Sequence, residues 1–105
     1  MAENLKVLTR QMDEITRRYK TAKVQVMLYQ PTKDPNLLSL HAMNVQFIEA
    51  FHYVLDSMIP ENREIIIKDF LNPQEHYWWF DLYARSTYYR QKNRALREIL
   101  KFLGQ

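Results

Sequence analysis

Leu5, Leu8, Met12, Ile15, Tyr19, Ala22, Val26 and Tyr29 follow one another at alternating intervals of three and four. A period near 3.6 gathers them on one face, so the pattern predicts a first helix from about residue 4 to residue 29 with a heptad-like seam. Within it, Lys23-Val24-Gln25-Val26 alternates polar and apolar and would also suit a short strand. Gln30-Pro31-Thr32-Lys33-Asp34-Pro35-Asn36 then breaks the pattern with two prolines and turn-forming polar residues. A second helix is predicted from about Asn36, a suitable N-cap, to Met58. Its inner stripe is Leu40, Phe47, Ile48, Phe51, Val54, Leu55 and Met58.

Pro60 suits the first position of a third helix, where its missing N–H costs nothing. Glu61 and Glu64 fall in the first turn, and Ile65, Ile66, Ile67, Phe70 and Leu71 supply the apolar body before Asn72-Pro73 ends it. A fourth, short, aromatic-rich helix is expected from Gln74 to about Leu82. The fifth runs from Arg85 or Ser86 to Leu103 and is stopped by Gly104. Its apolar side is Tyr88, the Lys92 stem, Ala95, Leu96, Ile99 and Leu103, while Arg90, Arg94, Arg97 and Lys101 recur at i, i+4, i+7 and i+11 on another face.

The fold class expected is therefore all-α, with an N-terminal long helix or helical hairpin followed by a C-terminal helix-turn-helix. Residues 1–58 form a helical region and residues 59–105 the helix-turn-helix region, within one compact domain. Composition agrees with this picture: 47% hydrophobic and 13% aromatic residues provide for a core, and a single glycine leaves little material for the turns of a sheet. The N-terminus lacks the order of a signal peptide, and no apolar run is long enough to span a membrane. A soluble cytoplasmic protein is expected.

Charge sharpens the reading. Residues 85–105 hold Arg85, Arg90, Lys92, Arg94, Arg97 and Lys101 against Glu98 alone, a local charge of +5 in a chain of +3. Residues 54–84 carry six acids and two basic groups. A helix with one apolar side and a row of guanidinium groups on another can pack on a small core and meet phosphates. A support helix, a short helix and a basic helix in that order make a helix-turn-helix.

The junction Leu82-Tyr83-Ala84-Arg85-Ser86-Thr87-Tyr88-Tyr89-Arg90, followed by Ala95-Leu96, resembles the C-terminal region of the ArpU-type phage late-transcription regulators. Those carry a run close to L-Y-I-S-R-S-T-Y-Y-R and a following A-L, in a helix-turn-helix akin to region 4 of bacterial sigma factors. The resemblance implies a phage- or prophage-encoded, sequence-specific regulator of transcription bound to double-stranded DNA. With the basic helix in the major groove, Ser86, Thr87, Arg90 and Gln91 are candidates for base edges: Arg for guanine, Gln for adenine, the Thr methyl for thymine. Arg85, Arg94, Arg97 and Tyr89 are candidates for phosphates. Tyr88 and the Trp78-Trp79 pair read as core.

Other chemistry finds no foothold. The chain has no cysteine, and His41, His52 and His76 show no metal-ligand spacing. Asp56, Glu61, Glu64 and Asp69 surround one helix start, where the dipole and solvent explain them. A Gly-rich phosphate loop needs more than the lone Gly104. Neither a catalytic site, a metal nor a cofactor is expected, and the chain reads as no enzyme. The alternative function is a helical interaction module that binds RNA polymerase or another regulator. The first-helix seam, on a helix of roughly 38 Å at 1.5 Å per residue, points to a homodimer, with an intramolecular hairpin as the other use of the same stripe.

Overall fold

A computed structural model describes residues 4–73 and 75–104 of the chain. It is all-helical, with no strand among the described residues. Helix α1 spans Leu5–Leu28, α2 Pro35–Ser57, α3 Pro60–Ile66 and α4 Arg85–Leu103. From Ile67 to Leu71 the third helix widens into a π-helical turn, closed by the Asn72 N–H on the Ile67 carbonyl at 2.7 Å.

Local chemistry sets these bounds. The Asn4 side chain accepts from the Lys6 N–H at 2.7 Å and starts α1. Residues 23–26 continue α1 as helix, because the seam persists through Ala22 and Val26 and an isolated strand would leave its backbone groups unpaired. Asp34, two residues before the expected cap, begins α2 by accepting from the Asn36 N–H at 2.9 Å. Pro35 then takes the first helical position, where no N–H is required. Asn36 is thus the capped residue and not the cap.

Helices α1 and α2 form an antiparallel hairpin, with Tyr19 stacked on Phe51 at 4.1 Å and Tyr29 stacked on His41 at 3.7 Å near its far end. Helix α4 lies across both, and α3 packs on α4. The core combines Leu8 and Met12 of α1, Phe51 and Leu55 of α2, Ile65 and Ile66 of α3, and Tyr88, Leu96 and Ile99 of α4. The burial is uneven along the 54 Å length of the molecule. No residue from 23 to 50 is buried. Leu40, expected on the inner stripe of α2, is exposed there with Met27, Leu28, Leu37 and Met43, because α4 ends beside Gln11 and Arg18 and leaves the outer hairpin without a third helix.

Two expectations change. The seam of α1 is covered by the chain's own α2 and α4, so Leu8, Met12, Tyr19 and Ala22 are buried inside one molecule. The stripe predicted to hold a homodimer is core, and the hairpin reading holds for it. The short helix expected over residues 74–82 is also absent: Gln74 lies outside the described residues, and 76–82 form linked turns. Trp78, Phe80 and Leu82 donate to the carbonyls three residues before them at 2.9–3.0 Å. A short aromatic run behind Pro73 cannot pay for helix nucleation, since each ring loses rotamer freedom against the preceding turn. Trp79 instead turns inward and stacks on Tyr88 at 4.3 Å.

Candidate nucleic-acid interface

Helix α4 has two unlike faces. Tyr88, Ala95, Leu96, Ile99 and Leu100 are buried, which fixes the helix by its apolar side. Arg90, Arg94, Arg97 and Lys101 are exposed along the other. Among the described residues the ion pairs are Lys68–Glu64 and Lys92–Asp69, so no carboxylate neutralises that row. Among the described residues none of the six acids of residues 54–84 pairs with the row: Glu64 and Asp69 hold Lys68 and Lys92, and the one acid of α4, Glu98, accepts from Asn62.

At the start of α4, Arg85, Ser86 and Thr87 are exposed, and the Arg85 guanidinium lies 5.9 Å from the centre of the Tyr89 ring. Tyr89 itself is open to solvent. Ala84 provides no side-chain cap and no acid stands in the first turn, so the positive end of the helix dipole is uncompensated. Seven of the eight candidate residues thus lie on accessible surface: Arg85, Ser86, Thr87, Tyr89, Arg90, Arg94 and Arg97.

Gln91 is the exception. It is half-buried, and its Nε2 donates to Oδ1 of the buried Asn62, whose own Nδ2 donates to Glu98 Oε1 at 3.0 Å. The amide expected to read adenine is instead one end of a Gln91–Asn62–Glu98 chain that ties α3 to α4. A bidentate base contact would break that chain and strand a buried amide.

Behind the interface stands a group not anticipated from the sequence. The Asp69 carboxylate accepts from Trp78 Nε1 at 2.7 Å and from the Tyr88 hydroxyl, and it pairs with Lys92 Nζ at 3.1 Å. Burial, and then the bond to Asp69, hold the Tyr88 phenol well above its ordinary pKa, so it remains a neutral donor. Asp69 therefore joins the π turn, the turn segment and the second turn of α4. The signal was present: a carboxylate inside the apolar run Ile65 to Leu71 must find partners if it is buried.

None of the described helices is long and apolar enough to cross a membrane. The chain matches no family model, and no curated protein or solved structure shows significant similarity to it.

Proposed function

We propose that the chain is a non-enzymatic DNA-binding protein, a sequence-specific transcription regulator that presents the exposed side of α4 to the double helix. The observation that carries this reading is the unpaired row Arg90, Arg94, Arg97 and Lys101 on a helix held from behind by the core. Four cations left without carboxylates on one rigid face fit a polyanion, whose release of counterions supplies the affinity. Arg85 and the uncompensated helix start extend the positive surface toward the residues suited to base edges, Ser86, Thr87 and Arg90.

The row and the base-reading end make separable predictions. Replacing Arg94 and Arg97 with alanine weakens binding to every duplex alike and flattens log K against log salt by about one to two units, at roughly 0.9 per phosphate contact. Fluorescence anisotropy over a salt series measures this; an unchanged slope assigns both arginines to solvent. Arg90→Ala costs about 1–3 kcal/mol at a selected site and far less on random duplex. Sites selected from a randomised pool supply the comparison, and an equal loss on both makes Arg90 another phosphate contact.

The exposed Met27, Leu28, Leu37, Leu38 and Met43 favour a second reading, an adaptor whose hairpin end meets a protein such as RNA polymerase. It predicts no salt-sensitive binding to duplex at low ionic strength.

A further inference from the structure

Beside the start of α4 lies a cleft of about 400 Å³ walled by Tyr77, Trp79, Phe80, Tyr83, Ala84 and Arg85. Four of its six lining residues are aromatic, and none is a carboxylate or a long aliphatic. Trp79 forms the floor: it is buried, stacked on Tyr88 at 4.3 Å and 7°, and meets Tyr77 edge-on at 5.8 Å. Tyr77 and Phe80, by contrast, are 60% and 70% exposed. Two large rings are thus held at the rim by neighbouring rings while their surfaces stay in water. Arg85 also lines the cleft, its guanidinium 5.9 Å from the Tyr89 ring, and Arg90, the first cation of the row, follows five residues later and about 140° around α4.

The chemistry of that wall selects its occupant. A helix or apolar peptide would be met by leucine, isoleucine or methionine, which the cleft lacks. Flat aromatic surfaces beside a guanidinium suit a flat, apolar-faced ring attached to an anion. A nucleobase on its phosphate backbone is such a group, and base–aromatic stacking is indifferent to sequence because every base has a π face. Inside a duplex those faces are covered by neighbouring bases, so the rings have nothing to stack on unless the base is unpaired. We infer that this cleft takes an unpaired nucleobase, so that the chain binds single-stranded or locally opened nucleic acid, its backbone passing Arg85 and turning around the start of α4 to reach Arg90. This rests on the nucleic-acid reading of α4 given above and adds to it a site off the helix.

The test compares a 12-nucleotide oligothymidine, an abasic deoxyribose-phosphate strand of the same length and a 12-base-pair duplex, by anisotropy at fixed salt. The two single strands carry the same charge and differ only in their bases. The intact chain is expected to favour oligothymidine over the abasic strand by about tenfold, the lower part of the range for one or two stacked bases. Tyr77→Ala with Phe80→Ala should bring that ratio to near one, leaving duplex binding and the melting temperature unchanged. The ring-preserving pair Tyr77→Phe with Phe80→Tyr should restore it. Arg94→Ala with Arg97→Ala should weaken all three ligands together. Oligouridine beside oligodeoxyuridine, which share a base and differ only in the 2′-hydroxyl, tells whether RNA or DNA supplies the base. Equal binding of the thymidine and abasic strands by the intact chain, with duplex binding present, overturns the base site alone. An alanine pair that loses duplex affinity as much as thymidine affinity overturns it too. Failure to bind any of the three removes the nucleic-acid reading itself.

Discussion

Asp69→Ala is expected to lower the stability of the fold by about 3 kcal/mol, the lower end of the range for removing one partner of a buried ion pair, because this pair is part-buried. Lys92 and Asp69 have side chains only 17% and 13% exposed, whereas those of the Lys68–Glu64 pair are 37% and 44% exposed. The first pair is shielded from solvent and shares its carboxylate with Trp78 and Tyr88; the second is a surface contact of about 0–1 kcal/mol. Removing Asp69 strands an ammonium, an indole N–H and a phenol together. Glu64→Ala should change little and serves as the control. Adding Lys92→Met to Asp69→Ala should recover part of the loss, since the stranded charge is then gone. Urea unfolding followed by circular dichroism measures all three variants against the parent chain. Equal effects for Asp69→Ala and Glu64→Ala would show that the carboxylate is no hub.

Met12→Lys is expected to abolish folding. Met12 is 0% exposed, and a lysine there must either bury an ammonium, at several kcal/mol, or drive the α1–α4 contact apart. With total stability of about 5–15 kcal/mol for a domain, and a packed methionine lost as well, little margin is left. Ile15 sits one turn along the same seam but only partly buried, so Ile15→Lys can extend its head to water and should give a weakened, folded protein. The contrast separates the two uses of the stripe. A dimer seam exposed in the monomer would yield a folded monomer from either substitution. Sedimentation with thermal melts of both variants decides it, and a folded Met12→Lys chain would be incompatible with the burial of that side chain.

The helices were legible where apolar spacing is regular: α1, α2 and α4 are within a residue or two of the spans their periodicity predicts. Tyr88 in the core follows from its line with Ala95 and Leu96, and Trp79 from its size. What periodicity cannot give is the partner across a helix boundary. Gln91 is as polar as Arg90 and only 100° around the helix from it at 3.6 residues per turn. That rotation moves it from solvent to Asn62. Asp69 belonged to a set of acids that a helix dipole would explain, and only its place beside Lys92, Tyr88 and Trp78 distinguishes it. Residues 76–82 failed for another reason: each is compatible with a helix, but the interior captures Trp79 and leaves Tyr77 and Phe80 outside. The exposure of the α4 cations was legible because exposed charge is a property of one helix, whereas the cleft beside it requires two segments to meet.

The unburied stretch from residue 23 to residue 50 bears on how the polypeptide can be cut and rejoined. The core takes Leu8, Met12 and Tyr19 from before it and Phe51, Leu55 and Met58 from after it. The outer hairpin is thus a strap between two core-bearing segments, held by contacts such as Gln25 to Asn44 at 2.8 Å in water. Such a strap opens at low free energy while the rest stays closed, giving its amides a fast hydrogen-exchange route independent of global unfolding. It is also the place where the backbone can be severed, lengthened or fused to a second domain with no core side chain displaced. Residues 30–34, between α1 and α2 and far from the core, are where such a cut or insertion is expected to be tolerated.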